Sequence, residues 1–184
     1  TLKKIAEMGY DGVEFAGFYH YTVDEIKKAL EESGLVAISA HVPLAEIEKD
    51  MFKTISDYKA IGCKYIAVPY TDDECRPGGP RFAETIRNIY KFGRLCREAG
   101  IQLLYHNHDF EFIKVGDEYQ YDIMFRDLNG HLDPEPDTCW MKHGGVNPAE
   151  YIRKYGDRIN VVHLKDLTYV DGEGKPAYAL IGDD

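Results

Sequence analysis

The sequence predicts an α/β fold whose strands form a (β/α)8 barrel, present here only in part. Two observations carry that expectation. First, one unit recurs along the 184 residues: an amphipathic helix, a glycine, a short β-rich strand, then a polar loop. Mostly apolar strands joined through helices imply a parallel sheet with right-handed crossovers, either doubly wound or closed as a barrel. Second, charged or ligand-type residues stand at the C-terminal ends of most strands, namely Glu14, His41, His106 with His108, Asp137 and His163. Core packing explains none of these placements, and in a barrel those strand ends form the active face. No G-x-G-x-x-G follows a strand, which counts against a dinucleotide-binding sheet and favours the barrel.

The elements follow in order. A helix over 1–8 ends at Gly9, and Gly12-Val-Glu-Phe-Ala16 is the first strand. Thr22-Val-Asp-Glu25 is a capping box opening a helix with Ile26, Ala29 and Leu30 on one face. It stops at Gly34, and Leu35 to His41 is a strand. The spacing of Ile47, Met51, Ile55 and Tyr58 predicts one helix from about Ala45 to Ile61, with a strand over Lys64–Pro69 after Gly62. Pro80 precedes a long helix over about 81–99, ended by Gly100, and the apolar run Ile101–Tyr105 leads into His106-Asn-His108. Residues 109–121 alternate like a small inserted hairpin around Val115-Gly-Asp-Glu118, followed by a short helix near Ile123–Leu128. A strand is expected near Leu132–Trp140. Asn147-Pro-Ala-Glu150 is a helix start with N-cap, Pro at N1 and Glu at N3, and Arg158 to Leu164 reads as a final buried strand.

Composition narrows the function. The length suits one core, so residues 1–184 are read as a single domain, and no run reaches the ~20 apolar residues of a membrane span. A net charge of −10 argues against nucleic acid as a partner, because such binders need a basic stripe. Cys63, Cys75, Cys96 and Cys139 form no C-x-x-C pair, which fits free thiols in a reducing, cytoplasmic setting, with one or two disulfides as the alternative. The chain opens as though inside a helix, so its natural start, and any leader, is expected to lie upstream.

The most informative stretch is Leu104-Tyr-His-Asn-His-Asp-Phe-Glu111. On a strand, residues i and i+2 share a face, so His106 and His108 would aim into one space with Asp109 and Glu111 just beyond. Imidazoles and carboxylates converging at a strand end are the usual material of a divalent-metal site. In Asp133-Pro-Glu-Pro-Asp137, the residues Asp133, Glu135 and Asp137 share a parity. Asp137 is preferred as the functional one, because an unpaired carboxylate two residues before the apolar Cys139-Trp140 pair would be costly. His163 and Lys165 share a face on the last strand. Lys165 is either a proton-transfer group with a lowered pKa or a surface lysine paired with Asp166.

Gly9-Tyr-Asp-Gly-Val-Glu-Phe15, Ser39-Ala-His41, Tyr105-His-Asn-His-Asp-Phe-Glu-Phe112, Asp137 with Trp140 and Gly144-Gly145, and Val162-His-Leu-Lys-Asp166 occur in one order along the chain. Together they resemble the sugar phosphate isomerase/epimerase family, the xylose isomerase-like TIM barrels that include inosose dehydratases. The resemblance implies that strands 2–7 of the barrel are present and that strands 1 and 8 lie outside the chain. It also implies one divalent ion, most often manganese, with zinc, magnesium or cobalt as alternatives. The ion would be held by an acid, Asp, His and Glu from strands 5 to 8. Asp137 and His163 match two of these ligands, and His106 stands where the strand-5 acid is expected, so His106, Asp137 and His163 are the implied metal set. His108 or Glu111 could also reach that position, and the strand-8 Glu has no counterpart.

The implied chemistry is isomerisation or epimerisation of a sugar derivative by proton abstraction beside a metal-polarised carbonyl, or dehydration of an inosose or keto-sugar. Glu14, Glu111 and Lys165 are the candidates for proton work; His41, His108 and Trp140 are those for holding substrate. Phe15, Phe18, Tyr19 and Tyr70 add aromatic surface near the strand ends. The expected partner is a small sugar or cyclitol, with no nucleic acid and no membrane, in a chain that could form a homo-oligomer. A multi-metal phosphodiesterase on the same barrel would need a basic groove that the charge denies. A barrel that binds carbohydrate without catalysis is the remaining alternative.

Overall fold

A computed structural model describes residues 1–169 and 176–182 of the protein. Helix α1 spans Leu2–Glu7, strand β1 Gly12–Phe15, helix α2 Val23–Ser33 and strand β2 Val36–Ala40. In α2 the capping box closes as the sequence dictates. Thr22 Oγ1 accepts from Glu25 N while the Glu25 carboxylate accepts from Thr22 N. Ile26 and Leu30 are buried, and Gly34 ends the helix at φ 72°.

The helix expected over 45–61 is instead two, α3 (Leu44–Lys49) and α4 (Met51–Ala60). Asp50 separates them with extended backbone, and its carboxylate accepts from Lys53 N at 2.9 Å. A short polar side chain that can cap a following turn competes with helix continuation, and apolar periodicity does not register that competition. Strand β3 (Tyr65–Val68), helix α5 (Phe82–Glu98) and strand β4 (Gln102–His106) follow. A hairpin of β5 (Lys114–Val115) and β6 (Glu118–Tyr119) leads into α6 (Gln120–Asp127), then β7 (Asp133–Glu135), α7 (Thr138–His143) and α8 (Pro148–Tyr155).

Two expected strands are shorter than predicted. The one near 132–140 stops at Glu135, because the Asp137 carboxylate accepts from Trp140 N at 3.0 Å and starts α7 there. The one over 158–164 reduces to a single bridge at His163. Its entry is tied down by Arg158, which reaches Asp133 at 2.8 Å and the Leu132 carbonyl at 2.7 Å. Beyond it, β8 (Asp166–Tyr169) pairs antiparallel with β9 (Pro176–Ala179), a hairpin that periodicity did not announce.

The parallel strands lie in chain order. β1 pairs with β2, and β3 with β4 and then β7. The bridges His41–Ala67 and Asp137–His163 link these pieces into one arc of six positions. The arc curls until the side chains of Glu14 on its first strand and His163 on its last meet at 2.6 Å. That curvature is the barrel's, and it brings all the C-terminal strand ends to one side. The helices cover the outside, burying Ile89, Phe92 and Cys96 of α5 and Tyr121, Phe125 and Leu128 around α6. All four cysteines are buried and free. Among the described residues, no helix is long and apolar enough to cross a membrane.

Candidate metal centre

Four strand ends converge inside the arc. His41 follows β2, His106 is the last residue of β4, Glu135 is the last of β7, and His163 sits at the final bridge. In the ladder His106 stands directly opposite Glu135, so the period-2 pleat sends both side chains the same way. Glu135 Oε2 lies 2.7 Å from His41 Nε2, 3.5 Å from His106 Nδ1 and 3.8 Å from His163 Nε2. One donor atom from each of the four residues falls within 4.8 Å of all the others. Glu14 adjoins them, with Oε2 3.3 Å from His41 Nε2 as well as 2.6 Å from His163 Nε2.

The electrostatics suit a cation. Glu135 is wholly buried, and its Oε1 has no hydrogen-bond partner; neither does His106 Nδ1 or Glu14 Oε1. Unsatisfied carboxylate and imidazole atoms at this depth are costly unless something positive joins them. Burial, reinforced by the neighbouring His163 and His41, pushes the His106 pKa down to about 2, so the ring is neutral with a lone pair to offer. Burial opposes protonation of His163 too, but the hydrogen bond to Glu14 and the charges of Glu135 and Glu14 outweigh it and leave the pKa raised. Three imidazoles and a carboxylate are a donor set for a divalent transition metal. The residues present therefore fit such an ion.

The residues singled out from sequence fall into three groups. His41, His106 and His163 stand in the centre, with Glu14 against them. Asp137 borders it: its Oδ2 lies 3.8 Å from both His106 Nε2 and His163 Nδ1, and 2.6 Å from Lys165 Nζ. His106 and His163 thus each turn one nitrogen toward Glu135 and the other toward Asp137. Lys165 points to Asp137, and its backbone is held by the Thr138 hydroxyl.

His108, Trp140 and Glu111 form the third group. His108 lies beyond the end of β4, yet its ring is 5.2 Å from that of His106, stacked on Phe110 and near Trp140. Glu111 is turned to the helical side, where Oε1 accepts from Tyr105 OH at 2.6 Å and Oε2 from His108 N at 2.8 Å. Of the nearby aromatics, Phe18 packs on Tyr58, while Tyr19 and Tyr70 remain exposed.

Two residues of the site were not singled out from sequence. Glu135 shares its parity with Asp137, and that alternation was its only signal. Asn107 is fully buried, and its Oδ1 accepts from Asp137 N at 3.0 Å, clamping the end of β4 to that of β7. No local pattern marks a contact across 30 residues.

Comparison with known proteins agrees with the barrel fold. The family model for the xylose isomerase-like TIM barrel matches residues 2–184. An inosose dehydratase of Geobacillus kaustophilus is 26% identical over 198 residues, spanning 92% of this chain and 62% of the relative, so the chain spans under two thirds of that relative's length. A sugar phosphate isomerase/epimerase structure from Parabacteroides distasonis superposes with a TM-score of 0.78 at 26% identity, covering 95% of this chain and 74% of that one. A xylose isomerase domain protein from Planctomyces limnophilus shares the fold at 16% identity, with a TM-score of 0.74 over all of this chain and 76% of its own.

Proposed function

The chain belongs to the xylose isomerase-like TIM barrel family, and on that premise we propose that the full protein is a divalent-metal-dependent enzyme acting on a sugar or cyclitol. The observation that carries this reading is the convergence of His41, His106, Glu135 and His163 within 4.8 Å. Those four residues would hold the ion. Imidazole-rich ligation favours zinc or cobalt over magnesium and over manganese, the ion that the family resemblance implies. When bound, the ion would supply Lewis-acid polarisation of a substrate carbonyl and of the hydroxyl beside it.

The chain's own residues would do the rest. Glu14, with one carboxylate oxygen unpartnered and the other on His163, can accept a proton from substrate carbon. Lys165, held at 2.6 Å from Asp137, can return a proton from Nζ to carbon or to a departing hydroxyl. Return to carbon gives isomerisation or epimerisation, and return to a β-hydroxyl gives dehydration. The inosose dehydratase relative and the isomerase/epimerase structure support these outcomes about equally. We assign Glu111 to holding the His108 backbone, not to proton transfer, because both its oxygens are already engaged. Trp140 and His108 form a wall against which a sugar can lie.

The experiment is metal analysis by plasma emission with turnover on a panel of keto-sugars and inososes, using the full-length protein. His106→Ala and His163→Ala should each lose stoichiometric metal and at least ~100-fold in activity while remaining folded. Retention of metal and activity in both variants would overturn the assignment.

A further inference from the structure

Beyond the centre, on the same side of the sheet, a cavity of about 490 Å3 opens between the loop that follows β3 and the turn that follows β4. Clefts of roughly 300–1000 Å3 are the usual size of a small-molecule site, and this cavity lies open to solvent on one side. This one is as large as a ligand site, yet the four residues of the metal centre are not among those lining it. It is joined to the centre through His108. That ring stacks on Phe110 at 5.2 Å, meets the edge of Tyr70 at 6.4 Å, and sits 5.2 Å from His106.

The walls state what the cavity can take. Asp72, Asp73 and Glu74 contribute three carboxylates, and Arg76 and Arg81 two guanidinium groups. Arg76 is already ion-paired with Asp73, and its guanidinium lies 3.9 Å above the Phe110 ring. A phosphate dianion would enter a space with an excess of negative charge, where Coulomb repulsion opposes it. Hydroxyl groups both donate and accept, so a polyol can satisfy carboxylates and guanidinium groups together. Tyr70 is half-exposed beside the cavity and offers an aromatic face to the apolar side of a sugar ring.

We infer that this cavity is a subsite for a second, uncharged sugar ring of the substrate, so that the reacting unit at the metal centre carries a glycosidic substituent and not a phosphate. The inference rests on the sugar-directed reading above and adds the substrate class to it. Calorimetric titration of the full-length protein with excess manganese tests it, using D-glucose, cellobiose, maltose and D-glucose 6-phosphate as probes. At least one disaccharide should bind about tenfold or more tighter than glucose. Tyr70→Ala and Arg81→Ala should each cut disaccharide affinity by a larger factor than glucose affinity. Glucose 6-phosphate binding more tightly than both disaccharides would overturn the inference. So would disaccharides binding no better than glucose, a result that leaves the metal-dependent sugar enzyme intact. Failure of every probe to bind would overturn the subsite alone, since the reading beneath it stands or falls on metal content and on turnover of keto-sugars and inososes.

Discussion

At Glu111, burial and hydrogen bonding pull in opposite directions. Burial raises its pKa to about 7, against the hydrogen bonds from Tyr105 and the His108 N–H that favour the charged form. An unconstrained glutamate titrates near 4.5. Between those values the folded protein keeps a proton that the unfolded chain has released, so stability falls as pH rises through the window and is level above about 7. The difference corresponds to roughly 3 kcal/mol. Glu111→Gln should flatten that dependence, so the gap between urea midpoints at pH 5 and pH 8 should shrink markedly. An unchanged gap would show that other groups set it. Residue chemistry also separates the two acids of the centre. With His106 and His163 turned to both, Glu135→Gln should abolish metal binding if the ion sits among the four converging residues. Asp137→Asn should then weaken it less, acting through Lys165 and the cap of α7. The reverse order in metal content would place the ion on the Asp137 side.

Among the elements, capping and close approach decide more than propensity. Asp50 breaks one apolar stripe into two helices, and Asp50→Ala should cost about 1 kcal/mol by leaving the start of α4 uncapped. Gly93, in the middle of α5, packs so closely on the chain leading into β7 that a Cβ there would meet the His131 carbonyl oxygen at 2.1 Å. Gly93→Ala should therefore destabilise by about 1–3 kcal/mol through overpacking, although alanine is the better helix former. Thermal and urea denaturation measure both. The helix starts at Thr22 and Asn147 and the hairpin at 114–119 were legible in sequence, because their signals lie within a few residues. The helical start at Thr138 was hidden because Asp137 reads equally well as a strand-end ligand and as an N-cap.

Across the whole molecule, the candidate ligands come from β2, β4, β7 and the segment at His163, separated by 122 residues from first to last (163 − 41). An ion bound there would join elements that the chain connects only through long crossovers. Binding to the native state alone stabilises by about 2.7 kcal/mol when the metal stands at a hundred times Kd. Excess manganese or zinc should therefore raise Tm and a chelator should reverse the rise. A Tm indifferent to both would count against an ion at this position.

The sequence by itself determined the repeating helix–strand unit, the parallel sheet, and the placing of Glu14, His41, His106 and His163 at strand ends, since those depend on local periodicity and on glycine and capping signals. Tertiary structure alone decided which of them meet. The curl of the sheet brings Glu14 to His163 across 149 residues, and the register of β4 on β7 sets Glu135, not Asp137, opposite His106. The physical reason lies in the pleat. Alternation makes 133, 135 and 137 equivalent in sequence, and only the register and the point where β7 gives way to α7 distinguish them.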